Sequence, residues 1–167
     1  MLKPYSITQI HSCQIGISPC PLGGHSLQTQ IEKIAQNDRL MLISLLTDSE
    51  VRALQLQEES SLCESWGIAF RSFPIIDTSI PGAYRFMDFI EELYGWTEKM
   101  DRMLIHCRAG IGRSGLIGLG LMMRHGLPLR QSIISVSNIR GFDVPQSASQ
   151  RKLLSFYVQE LEKKGRK

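Results

Sequence analysis

The chain has 167 residues, of which 43% are hydrophobic and 21% charged, with a formal net charge of +3. That is the size and balance of one ordinary globular domain with a real core; it argues against a disordered polymer and against a strongly basic nucleic-acid binder. Part of the positive excess sits in the terminal KKGRK, which reads as solvation of a helix end, although a mildly basic surface also suits an anionic substrate. Residues 27–36 place Leu27, Ile31, Ile34 and Ala35 at helical spacing, and LMLISLL (40–46) is the continuous apolar run of a buried strand. TDSE (47–50) makes a capping box that opens a helix towards Trp66. IAFRSFPI (68–75) predicts a second strand. After a Pro/Gly loop, Ala83, Phe86, Met87, Ile90, Leu93 and Tyr94 share one helical face. MLIHC (103–107) predicts a third strand, and 114–125 a helix apolar on nearly every side and hence buried. Pro128 stands where a first helical residue would, Gly141 stops that helix, and a last helix over about 146–163 buries Leu153, Leu154, Tyr157, Val158 and Leu161. Strands alternating with helices imply an α/β fold, a single domain with a central, largely parallel sheet flanked by helices.

Compartment and cofactor expectations follow from what is missing. The start, MLKPYSITQIHSC, lacks the apolar h-region of a signal peptide, and LIGLGLMM, between Arg113 and Arg124, is too short to span a bilayer. Cysteines 13, 20, 63 and 107 show no CxxC pairing and no metal-ligand spacing with the four histidines. The expectation is a reduced, cytoplasmic monomer with no metal, no cofactor and no stable membrane insertion.

HCRAGIGRSG (106–115) is the segment that carries chemistry, because it lies where a buried strand ends and a buried helix begins. A cysteine with an arginine six residues on is cheap by itself. The other three cysteines nevertheless have Pro19, Ser26 and Ala69 at that offset, and only here do glycines, a hydroxyl and a strand–loop–helix context accompany it. Gly110-Ile-Gly-Arg-Ser-Gly115 also satisfies the dinucleotide pattern G-x-G-x-x-G, but no second strand ending in an acid follows about 20 residues later. A phosphate cradle with its own nucleophile explains more. Glycines let successive N–H groups turn inward, the helix N-terminus adds positive potential, and both favour the thiolate of Cys107. The planar fork of Arg113 matches two phosphate oxygens.

The segment resembles the signature loop H-C-x5-R-[ST] of the cysteine-dependent protein tyrosine phosphatases. The resemblance implies a cysteinyl-phosphate intermediate on Cys107, phosphoryl oxygens bound by Arg113 and by the loop backbone of Arg108, Ala109, Gly110, Ile111 and Gly112, and a hydrogen bond from Ser114 to the departing sulfur. His106 would hold the loop. Asp77, between Pro74 and Pro81 and 30 residues before Cys107, matches the position of the family's general acid; without the resemblance it reads equally as a turn former. PQSASQ resembles the family's glutamine loop, with Gln146 positioning the hydrolytic water and Gln150 one turn on; two solvated glutamines at an ordinary helix start are the plainer alternative. From about residue 13 to 160 the order of segments is similar to the dual-specificity type related to the cyclin-dependent-kinase-associated phosphatase, so residues 1–167 are expected to form one phosphatase domain. The implied substrate is a phosphorylated protein, through phosphotyrosine and also phosphoserine or phosphothreonine. A phosphoinositide phosphatase on the same scaffold and a non-catalytic phosphate-binding module stay open, although Ile111 stands where lipid phosphatases carry a second lysine. Arg39, Arg52, Arg71 and Arg140 are candidates for the substrate surface.

Overall fold

The computed structural model describes residues 1–165; Arg166 and Lys167, the end of the KKGRK tail and of the expected domain, lie outside the described residues. Five strands form one sheet: β1 (Tyr5–Ile10), β2 (Cys13–Pro19), β3 (Leu40–Ser44), β4 (Ala69–Ser72) and β5 (Arg102–Cys107), in the order β1-β2-β5-β3-β4. Only the β1–β2 pair is antiparallel; β2–β5, β5–β3 and β3–β4 run parallel. The expected sheet therefore forms, with a hairpin at one edge that the sequence reading did not contain. Its turn passes through His11 at φ 52°, and each arm is short and mixed in polarity. β3 and the inner part of β5 are buried on both faces, which is why they read as unbroken apolar runs.

Helices α1 (Leu27–Ile34), α2 (Asp48–Ala53) and α3 (Glu59–Ser65) belong to the same stretch of chain as β3, and α4 (Ala83–Trp96), α5 (Gly112–Arg124), α6 (Leu129–Arg140) and α7 (Ala148–Gly165) follow. The single helix expected from Thr47 to Trp66 is broken. The capping box at its start is formed by Thr47 and Glu50, but the chain leaves helical geometry at Leu54 and passes Gln55 at φ 55°. The glycine pair of PCPLGG fills the break: Gly24 N–H donates to the Gln55 carbonyl at 2.9 Å. A Cβ on Gly23 would stand 1.8 Å from the Leu54 carbonyl oxygen, so no other residue fits there. Pro128 caps α6 rather than starting it, and Gly141 ends it in the left-handed region at φ 70°.

Two apolar cores result, one on each face. Leu27, Ile31, Leu42, Leu56, Cys63 and Leu104 fill the face covered by α1 and α3. Ile17, Ile43, Phe86, Ile105, Ile117 and Leu154 fill the other. On that second face α5 is buried over nearly its whole length, as its all-round apolar pattern requires. Its glycines permit the closeness: a Cβ on Gly118 would meet Ile7 at 2.5 Å, and one on Gly120 would meet Ile90 and Phe86 at 2.7 and 2.8 Å.

Candidate active site

Everything at the site is set by the junction of β5 with α5. Register pins β5 between β2 and β3, pairing Cys107 with Pro19 and His106 with both Ser18 and Ser44. The chain then turns through Gly110 at φ 68°, where an added Cβ would lie 2.3 Å from the backbone of Ser18 and Pro19; only glycine passes. Cys107 is 3% exposed, and its Sγ receives the Gly110 N–H at 3.3 Å and lies 3.5 Å from Ser114 Oγ. The Gly110 N–H and the start of the 13-residue α5 thus lie on the sulfur side of the loop.

One cavity of about 380 Å³ collects Cys107, Arg108, Ala109, Gly112 and Arg113 from this loop, Asp77 from the segment after β4, Gln146 from the segment before α7 and Gln150 from the first turn of α7. Gly110, Ile111 and Ser114 do not line it. Ile111 packs into the core, so only its backbone is available to an anion, and Ser114 is fully buried beneath the sulfur. Arg108 is exposed.

Arg113 is 3% exposed and is held from behind. Its two terminal nitrogens donate to the Glu50 carboxylate at 2.8 Å each, and one also donates to the Ile75 carbonyl at 2.9 Å. Its Nη2 stands 3.3 Å from Asp77 Oδ1. Among the described residues its Nε makes no hydrogen bond. Glu50 is therefore a site residue that sequence reasoning missed. The TDSE box located it, but nothing in that spacing signalled its second partner. The Arg113 guanidinium, helped by the Thr47 N–H and against some desolvation, holds its carboxyl down at about 2.

Arg140 was expected to face the substrate surface, and the structure corrects this. It is 7% exposed and donates from Nε to the Gly110 carbonyl at 2.7 Å and from Nη2 to the Ala109 carbonyl at 3.2 Å. Its guanidinium lies 3.8 Å from the centre of the Tyr5 ring. It clamps the loop by the carbonyls that point away from the cavity. Of the other arginines considered, Arg39 pairs with Asp101 and Arg71 with Glu92, and Arg52 is exposed.

The Asp77 and glutamine segments are arranged differently. The Asp77 side chain is 61% exposed, and the next residue, Thr78, adopts φ 62° with its hydroxyl donating to the Asp77 carbonyl at 2.6 Å. Gln146 is exposed and its Oε1 reaches towards Gly112. Gln150 is buried, and its Oε1 accepts the N–H groups of Gln146 and Ser147 at 3.0 and 3.3 Å while the Ser147 hydroxyl accepts the Gln150 N–H. That is a capping box, so the Gln150 oxygen is committed to the start of α7 and only its amide nitrogen faces Gly112. The remaining thiols are poor nucleophiles: burial pushes Cys13 up to about 11, Cys63 to about 12, and Cys20 upward as well. Among the described residues no three His, Cys, Asp or Glu side chains gather as a metal site, and no helix is long and apolar enough to cross a membrane.

The family model described as cyclin-dependent kinase inhibitor 3 (CDKN3) matches residues 24–133, a span that contains both Asp77 and the whole 106–115 loop. The chain belongs to this family. The cyclin-dependent kinase inhibitor 3 of Rattus norvegicus is 24% identical over 159 residues, covering 90% of this chain and 75% of the relative. That of Mus musculus is 24% identical over 158 residues with the same coverage. Kinase associated phosphatase, solved with its catalytic-site cysteine replaced by serine, superposes with a TM-score of 0.85 at 20% identity, over 96% of each chain. PTPMT1 in complex with PI(5)P gives 0.73 at 17% identity, covering 95% of this chain and 97% of that one. The fold is that of the cysteine-dependent protein tyrosine phosphatase superfamily, dual-specificity type. Arg140, Gln146 and Gln150 lie beyond the matched span.

Proposed function

We propose that this protein is a phosphatase that hydrolyses phosphotyrosine, and also phosphoserine or phosphothreonine, in proteins through a cysteinyl-phosphate on Cys107. The observation that carries the reading is the cavity itself, in which a thiol that accepts the Gly110 N–H shares one space with Arg113 and Asp77. The thiolate attacks phosphorus as the bond to the leaving oxygen breaks, and Asp77 gives that oxygen its proton. Arg113, aligned by Glu50, carries the charge on the equatorial oxygens. Water, oriented by Gln146, then attacks the cysteinyl-phosphate while Asp77 takes up its proton. Sulfur leaves as thiolate with the hydroxyl of Ser114 donating to it, and inorganic phosphate departs.

A phosphoinositide substrate is the second reading, favoured by the likeness to PTPMT1 solved with PI(5)P and by the exposed Arg108 at the cavity. Against it, Ile111 turns into the core and supplies no second cation. The deciding measurement is turnover of phosphotyrosine peptides, phosphoserine/threonine peptides and phosphoinositides in EDTA, with Cys107→Ser as control. The reading requires phosphopeptide turnover that the control abolishes while the fold and phosphate binding survive. Lipid turnover alone would transfer the assignment to phosphoinositides, and control activity within tenfold of wild type would end the covalent mechanism.

A further inference from the structure

Among the described residues two arginines are buried, and their charges are met in different ways. Arg113 faces the Glu50 carboxylate, whereas Arg140 has no carboxylate partner among the described residues. A buried cation without a counter-ion is costly unless something else meets its charge. Two features of the fold do so for Arg140. It is the last residue of α6, where the helix carbonyls favour a cation. Its guanidinium also lies 3.8 Å from the centre of the Tyr5 ring, and the face of an aromatic ring is negative. The ring is fixed in turn: Tyr5 opens β1, pairs with Ile17 of β2 and packs against the core around α5.

What Arg140 does with its own donors matters at the sulfur. Its Nη2 and Nε hold the carbonyls of Ala109 and Gly110. The peptide bonds of this loop are trans, so the C=O and the N–H of each plane point in opposite directions. Drawing the Ala109 carbonyl outwards therefore turns the Gly110 N–H inwards, where it reaches Cys107 Sγ at 3.3 Å. The hold on the Gly110 carbonyl likewise turns the Ile111 N–H away from Arg140.

We infer that Tyr5 is a positioning residue for the phosphate loop: its ring holds the Arg140 guanidinium in place, and Arg140 aims the peptide dipoles of residues 109–111. This deepens the proposed function and rests on its reading of residues 107–113 as a phosphate loop around the Cys107 thiol. An edge hairpin that contributes no side chain to the cavity thereby bears on the charge at the sulfur. Arg140, then Lys3, also draw the Tyr5 phenol below its ordinary range, but the guanidinium sits over the face of the ring, and the ring is the working part.

The test compares Tyr5→Leu and Tyr5→Phe with wild type in two readouts that need no turnover. They are iodoacetamide alkylation of Cys107 at pH 6 and pH 10, with Cys107→Ser as blank, and the binding of inorganic phosphate. Tyr5→Leu should be alkylated about fivefold more slowly at pH 6, match wild type at pH 10, and bind phosphate about fivefold more weakly. Tyr5→Phe keeps the ring and should stay within about twofold of wild type in both. A tyrosine that only stabilises the hairpin would lower the urea midpoint of Tyr5→Leu without moving either readout, and that result overturns the inference. Equal losses in the two variants also overturn it, because the hydroxyl would then be the working part. Should Tyr5→Leu not fold, pentafluorophenylalanine at position 5 decides, since it keeps the ring's shape and reverses the charge on its face. It must reproduce both losses, and wild-type values would sink the assignment. If the readouts shift as expected but no phosphopeptide is turned over, the proposed function falls and this inference stands.

Discussion

The two segments that meet at the cavity are built on opposite plans. Residues 106–115 are fixed from every side: register holds His106 to two neighbouring strands and Cys107 to one, Gly110 runs flush against the β2 backbone, Arg140 ties down two carbonyls, and Glu50 squares up Arg113. The segment around Asp77 has an exposed side chain, a threonine in a conformation that costs roughly 1 kcal/mol, and one charge contact to the loop. A cradle for phosphate gains from rigidity, since its dipoles must already point at the charge when the charge develops. A proton donor, the part proposed for Asp77, has to approach and withdraw as substrate enters and product leaves, and loose tethering suits it.

Replacing the loosely held acid gives the largest effect of three that would break or sharpen this contrast. Asp77→Asn should slow phosphotyrosine turnover about 10²–10⁴-fold, because a phenol is a poor leaving group without a proton. An aryl phosphate with a stable leaving anion should lose far less, and the alkaline limb of the wild-type profile should vanish. Equal losses on both substrates would make Asp77 a turn former and erase the contrast. Next, Arg140→Met keeps most of the buried bulk but removes the clamp, and should lower kcat/KM about 10–100-fold with a weaker grip on inorganic phosphate. Unchanged kinetics would mean that register and glycine alone hold the loop. The smallest effect concerns Glu50. Its carboxyl is depressed from an ordinary 4.5 to about 2, so its pairing stabilises the fold fully above pH 4.5 and is lost as pH falls towards 2. Urea melts should show about 2 kcal/mol more acid sensitivity over that window in wild type than in Glu50→Gln. Parallel acid limbs would show the pair to be idle in the free protein.

The same contrast divides what the sequence disclosed from what it withheld. The strand–loop–helix junction was legible because its requirements are local: a buried strand, glycines, a thiol and an arginine in ten consecutive residues. Three of the four parallel-paired strands, β3, β4 and β5, were legible too; β3 and β5 are covered on both faces and have no choice but to be apolar. The β1–β2 hairpin was not, because an edge pair needs neither a long run nor a strict alternation, and its turn lacks the usual glycine. The break after Ala53 was equally hidden, as it is enforced by Gly23 and Gly24 arriving from 30 residues away. Glu50 and Arg140 hold the loop from two other elements, and no spacing in a linear chain records such contacts.

Helix α5 has a consequence of its own. The same thirteen residues that aim their N-terminus at the sulfur also form the axle on which β2, α4, α6 and α7 turn their apolar sides. Gly115, Gly118 and Gly120 each meet a different neighbour at a distance that admits no methyl group. Side chains larger than glycine at these three positions would have to displace a packed neighbour. A lineage adapting to a new substrate or a hotter habitat can vary the Asp77 segment, Arg108 or the exposed ring of Phe142 at little risk to folding. A lineage that varies α5 gambles with folding and with the proposed chemistry at once, because the helix that fills the core also begins beside the sulfur.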